Sequence, residues 1–128
     1  MINKKILIVD DEEEVLSLLY KRLSAEGYQV IKAMTWQDAI ERTKTYMPNL
    51  ILMDIVLPDL EGSEVVQMLK EDPKTEDIPV VFLSGILTRD DRQTKLEVNV
   101  GGRLFDAISK PFNYEELMSA VKRQLGSR

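Results

Sequence analysis

The apolar positions of this chain switch repeatedly between two periods. Lys5–Val9 is a short run rich in β-branched residues that ends against five consecutive acids, Asp10 to Glu14. Beyond them Leu16, Leu19 and Leu23 share one helical face, and Gly27 stops that helix. Tyr28–Ala33 reads as a second, more polar strand, suited to a sheet edge. Thr35 and Asp38 have the spacing of a helix cap, and Trp36, Ala39, Ile40, Thr43 and Met47 continue one face as far as Pro48. Trp36 is expected in the core. Leu50–Met53 is a third strand ending at Asp54. Gly62 opens a helix with Val65, Val66 and Leu69 on one face, closed by Asp72-Pro73. Pro79–Leu83 and Phe105–Ile108 are the fourth and fifth strands, and Asn113 caps a last helix bearing Leu117, Val121 and Leu125.

Short buried strands alternating with amphipathic helices predict a parallel sheet covered on both faces. Crossovers are right-handed, so placing strands on either side of the first gives a doubly wound α/β fold. No internal repeat or linker interrupts the pattern, and one domain over residues 1–128 is expected.

Composition narrows the chemistry. With 128 residues, 44% hydrophobic and 30% charged, the chain has ordinary globular values and the size of one core. No uninterrupted apolar run approaches the ~20 residues of a membrane helix, and none suits a signal peptide. A cytoplasmic location without membrane contact is therefore expected. Cys is absent, which excludes disulfides, thiolate metal sites and cysteine nucleophiles; His is absent too, which removes imidazole bases and phosphohistidine. A net charge of −5 argues against direct nucleic-acid binding. Carboxylates, hydroxyls and amines remain.

In a doubly wound sheet, ligands gather at the carboxyl ends of the strands. There the first strand ends in Asp10-Asp11, the third in Asp54, the fourth in Ser84-Gly85 and the fifth in Lys110-Pro111. Clustered carboxylates raise one another's pKa unless a cation sits among them, and oxygen-only ligands suit Mg²⁺. Beside such an ion one carboxylate can attack phosphorus and form an acyl phosphate. The Ser84 hydroxyl and the Lys110 ammonium are placed to bind phosphoryl oxygens, and Gly85 leaves the approach to Asp54 open. Glu12, Glu13 and Glu14 are read more simply, as acids favoured at a helix N-terminus.

The run Ile6-Leu7-Ile8-Val9-Asp10-Asp11-Glu12, the segment from Asp54 to Gly62, the Ser84-Gly85 pair and Ser109-Lys110-Pro111-Phe112 resemble the receiver domain of two-component response regulators. The resemblance spans nearly the whole chain, in the family's order. It implies a five-stranded parallel sheet of order 2-1-3-4-5. By motif position it makes Asp54 the phosphoacceptor, and Asp10, Asp11, Asp54 and the Val56 backbone carbonyl the Mg²⁺ ligands. Ser84, Gly85 and Lys110 become the phosphoryl-binding group. The implied partners are a sensor histidine kinase and a downstream effector protein or domain, with a phosphorylation-dependent homodimer allowed. Such a domain is not an enzyme beyond its own aspartyl phosphorylation and dephosphorylation.

Three other readings compete with this one. An FMN carrier of flavodoxin type needs a phosphate loop rich in Ser, Thr and Gly where this chain has five acids. A phosphatase of haloacid-dehalogenase type has a second Asp two residues after its nucleophile, where this chain has Val56. The third, a degenerate receiver that binds partners without phosphorylation, ranks behind the phosphoacceptor because every motif residue is present.

Two features depart from the family. The usual switch aromatic, coupled to the residue at Ser84, is replaced by Ala107; the nearest ring, Phe105, shares its face but lies about 7 Å further along the strand. The interval from Ser84 to Lys110 is also longer than usual. Within residues 88–104, Thr88 with Asp91 could cap the family's fourth helix, but Arg89 to Lys95 contain no apolar residue. Leu96, Val98 and Val100 then alternate with Glu97 and Asn99, and Gly101-Gly102 is a hairpin-turn signal. Two readings stay open: a fourth helix ending near Val100 with Gly101 as its cap, or a hairpin pairing Leu96–Val100 with Arg103–Ala107.

Overall fold

The computed structural model describes residues 4–85 and 96–126. In chain order the elements are β1 (Lys5–Val9), α1 (Glu13–Ala25), β2 (Gln29–Ala33), α2 (Trp36–Tyr46), β3 (Leu50–Asp54), α3 (Gly62–Lys70), β4 (Val80–Ser84), β5 (Leu96–Val100), β6 (Arg103–Ser109) and α4 (Tyr114–Leu125). One sheet of six strands runs β2-β1-β3-β4-β6-β5. The first five in that order are parallel, as the doubly wound reading requires, and β5 is antiparallel to β6.

The five parallel strands take the expected order 2-1-3-4-5, and the hairpin adds a sixth, antiparallel strand at the edge. Of the two readings for Leu96–Val100, the hairpin is found, in the register Leu96↔Ala107 to Val100↔Arg103. The physical reason is tertiary: as a strand, Leu96, Val98 and Val100 turn to one face and pack beneath α3, while the backbone pairs with β6. The proposed Thr88–Asp91 cap lies outside the described residues.

Side chains alternate across each strand, so the core has two layers. Ile6, Ile8, Leu52 and Leu83 face α1 and α4, where Leu19, Leu23, Leu117 and Val121 meet them. Leu7, Val9, Ile51 and Phe82 face α2 and α3 and pack with Ala39, Val65, Val66 and Leu69. Strands β3 and β4 are buried at every position, and each fully buried aliphatic side chain contributes about 1.5–3 kcal/mol. Trp36 is half-buried and packs against the second layer from its margin. It does not lie inside the core.

The local signals act where expected. Thr35 Oγ1 accepts the Asp38 N–H at 3.1 Å, and Asn113 Oδ1 accepts the Glu116 N–H at 2.7 Å, each satisfying an orphan donor of a first helical turn. Helix α2 ends with Met47 in the left-handed region (φ 47°) just before Pro48. The hairpin turns at Gly101 and Gly102 with φ of 58° and 87°, values of a two-residue turn of type I′ that only glycine adopts without strain.

Candidate functional site

The carboxyl ends of β1, β3, β4 and β6 meet at one edge of the sheet. Asp10 follows β1 and is fully buried; Asp54 closes β3 and is 5% exposed; Ser84 closes β4 and is buried. Lys110 follows β6, and its backbone N–H is held by the Ser84 carbonyl at 2.8 Å, extending the ladder by one bond. Its Nζ lies 2.6 Å from Asp10 Oδ2 and 3.3 Å from both Asp54 Oδ2 and Glu12 Oε1. One ammonium therefore serves three carboxylates from two stretches of chain, the one that follows β1 and the end of β3.

Backbone donors hold the other carboxylate oxygens. Asp10 Oδ1 accepts the Glu12 N–H at 2.9 Å, and Asp54 Oδ1 accepts the Val56 N–H at 3.2 Å. The first of these bonds folds the chain back at the start of α1 and brings Glu12 over Asp10. Behind Asp54 the Gly62 N–H donates to the Ile55 carbonyl at 2.6 Å. A Cβ at residue 62 would collide with the Asp54 carbonyl oxygen, so this close approach requires glycine.

The charges do not balance. Asp10, Glu12 and Asp54 can each aim one oxygen so that the three lie within 4.8 Å of one another, against a single ammonium. Burial, then the charge of Asp10, pushes the Asp54 carboxyl up to about 6, although Lys110 and the Val56 N–H pull it down. Lys110 moves upward as well: burial lowers its pKa, but the hydrogen bond to Asp10 and the charges of Asp10 and Asp54 more than offset this. A hard divalent cation suits this donor set, which is all oxygen and carries excess negative charge.

The structure thus brings together Asp10, Asp54 and Lys110, with Ser84 on the adjoining strand end. Asp11 is exposed and lies outside the group of three carboxylates. Val56 is exposed beside Asp54, and at Gly85 an added Cβ meets nothing within 4 Å among the described residues. Glu12 is the residue that sequence reasoning missed. As one of five acids it looked like helix-end solvation, and the only available signal was Asp10 two residues earlier, a residue type that turns the following backbone N–H onto itself.

The expected switch positions are arranged differently. Ala107 sits in register between Phe82 of β4 and Leu96 of β5. Phe105 is buried away from the strand ends and meets Phe82 edge to face, with ring centroids 5.9 Å apart. Lys70 from the end of α3 and Arg103 each lie 5.7 Å from its centroid, so the ring ties the hairpin to α3.

A doubly wound sheet with buried acids and a lysine at its carboxyl edge defines a class of phosphoryl-accepting regulatory domains. A sequence model of the response regulator receiver domain matches residues 6–122, and the chain belongs to that family. This places it in two-component, phosphorelay signalling as a receiver domain. It is 36% identical over 120 residues to the alkaline phosphatase synthesis transcriptional regulatory protein PhoP of Bacillus subtilis, covering 94% of this chain and 48% of that protein. To the phosphate regulon transcriptional regulatory protein PhoB of Pseudomonas aeruginosa it is 36% identical over 125 residues, covering 98% and 53%. The chain spans about half the length of these relatives. Because their names denote transcriptional regulation, the expectation of no nucleic-acid contact is confined to the residues of this chain. Among solved structures, a response regulator receiver domain protein (CheY-like) from Methanospirillum hungatei superposes with a TM-score of 0.80 at 29% identity, covering 97% of this chain and 94% of that one. The N-terminal domain of a response regulator receiver protein from Methanoculleus marisnigri gives 0.71 at 29%, covering 97% and 98%. Among the described residues no helix is long and apolar enough to cross a membrane.

Proposed function

We propose that residues 1–128 form one receiver domain that accepts a phosphoryl group on Asp54 from a histidine kinase or a small phosphodonor, with Mg²⁺, and signals by a conformational change to an effector protein or domain. The observation that carries this reading is the convergence of buried Asp10 and Asp54 on Lys110 Nζ. Asp10 and Asp54, with Glu12, Asp11 and the Val56 carbonyl at the same edge, are the residues that would hold the ion. When bound, Mg²⁺ neutralises these carboxylates and the oxygens of the incoming phosphoryl group.

An Asp54 carboxylate oxygen attacks phosphorus; the bond from phosphorus to the donor breaks, and its electron pair leaves with the donor. The Asp54 carboxyl, with a pKa of about 6, is predominantly ionised at neutral pH and so is a competent nucleophile. Lys110, already 3.3 Å from Asp54, supplies a positive charge to one phosphoryl oxygen. The Ser84 hydroxyl donates to another, and Gly85, having no side chain, puts none in the approach to Asp54. Hydrolysis of the acyl phosphate resets the domain.

Intact-mass spectrometry after treatment with a small phosphodonor and Mg²⁺ tests the assignment. Wild type gains the mass of one phosphoryl group, lost on mild alkaline treatment, and Asp54→Asn gains none. Equal labelling of the two proteins sinks the reading.

A further inference from the structure

Lys110 Nζ has three N–H donors, and each has a carboxylate to bond: Asp10 Oδ2 at 2.6 Å, with Asp54 Oδ2 and Glu12 Oε1 both at 3.3 Å. A phosphoryl oxygen that takes up this ammonium must therefore displace one of the three. They do not leave with equal ease. The side chains of Asp10 and Asp54 are 0% and 7% exposed, and freeing either leaves a buried charge unpaired. The Glu12 side chain is 63% exposed, so water takes over its charge as it departs. Its backbone need not move. The Glu12 N–H is held by Asp10 Oδ1 at 2.9 Å, and its carbonyl accepts the Leu16 N–H at 3.1 Å as α1 begins. Outside lies a wide recess lined by Glu12, Glu13, Glu14 and Ser17, into which the carboxylate can turn.

We propose that Glu12 is a positioning residue that occupies the third N–H of Lys110 until a phosphoryl oxygen replaces it, and so restrains phosphorylation of Asp54. The inference rests on the phosphoacceptor reading above. Glu12 itself forms and breaks no covalent bond. It steadies the ammonium over the two buried carboxylates and yields to the incoming group. Before transfer, wild type exchanges Glu12 for a phosphoryl oxygen; a variant without this carboxylate has nothing to exchange. After transfer Glu12 has already left Lys110, both in the acyl phosphate and on the way to its hydrolysis, so the carboxylate does not affect hydrolysis. The two rates therefore separate, which a general loosening of the site does not do. The Glu12 side chain accepts no N–H from the first turn of α1, so Glu12→Ala removes the contact without removing a cap.

Initial rates of labelling by acetyl phosphate, followed by intact mass with Mg²⁺ raised to saturation for each protein, test this. Glu12→Ala should be labelled about threefold faster than wild type, the scale of an exposed ion pair. Its acyl phosphate should decay at the wild-type rate once the donor is removed. Glu13→Ala, which takes an equal charge from the same recess, should label as wild type does. The contact itself is read without metal or donor: the Lys110 Cε resonance should shift in Glu12→Ala and stay in place in Glu13→Ala. Labelling of Glu12→Ala that is no faster than wild type overturns the proposal, and slower labelling, the sign of a carboxylate that serves the metal ion instead, does so too. Equal acceleration by Glu13→Ala, hydrolysis that changes in step with labelling, or a Lys110 resonance indifferent to Glu12→Ala each overturn it as well. In all these cases the phosphoacceptor reading survives; it falls, and this proposal with it, if wild type takes no label.

Discussion

Strands β1, β3 and β4 on one side, and the β5–β6 hairpin on the other, use the same sheet in opposite ways. In the first group nearly every residue is buried on both faces, and what the strands present is their carboxyl ends, where Asp10, Asp54 and Ser84 stand. The hairpin alternates buried and exposed residues, presents its flank instead of its end, and contributes Lys110 only through the final residues of β6. A chemical site needs groups from distant stretches held at one point, which parallel strands with covered faces provide. A flank can vary without moving those ends. That is how a receiver with an unusual edge keeps an ordinary acid cluster.

The comparison breaks most readily at Phe105, which anchors the hairpin against Phe82 and α3. Phe105→Ala should cost about 3–5 kcal/mol of unfolding free energy, the largest effect expected here. Labelling of Asp54 in the protein that remains folded should persist. Loss of labelling by a folded Phe105→Ala protein, judged by circular dichroism, would show that flank and site are not separable.

Gly62→Ala acts on the other side. Its new methyl would press on the Asp54 carbonyl, so about 1–3 kcal/mol of stability should be lost together with a slower phosphorylation rate. An unchanged rate would mean that the end of β3 yields freely.

Next in size is a dependence on pH, measured without metal. The Asp54 carboxyl has a folded pKa near 6, above its ordinary 3.8, so the fold is favoured by its protonated form. That stabilisation is complete below pH 3.8 and is lost as pH rises through about 6. Asp54→Asn lacks the titration. Its melting temperature should therefore match wild type near pH 4 and exceed it by a growing margin up to pH 6 to 7. A gap that stays constant across that range would contradict the account. The smallest effect is expected for Asn113→Ala, which removes the cap of α4 and should cost about 1 kcal/mol in chemical denaturation without altering the hairpin.

Much of this molecule was legible in its residues. Alternating apolar periods located each of the described helices and the parallel strands. Asp10, Asp54, Ser84 and Lys110 stood out because each directly follows or closes a buried run, so topology alone carries them to one edge. The segment before β6 was ambiguous for a definite reason. Leu96 to Val100 followed by two glycines satisfies both a helix ending in a glycine cap and a strand entering a hairpin turn.

Only tertiary structure settled that choice, since the strand gains a partner in β6 and a covering helix in α3, and neither contact is local. It also decided which acids join the cluster. The five residues from Asp10 to Glu14 are alike in charge, and sequence by itself determined only that they follow β1. The bond from the Glu12 N–H to Asp10 turns the backbone so that Glu12 reaches Lys110 while Asp11 faces solvent. Chain order placed the acids at the edge of the sheet; a single hydrogen bond, formed once Asp10 is buried, turns Glu12 toward Lys110 and leaves Asp11 outside the cluster.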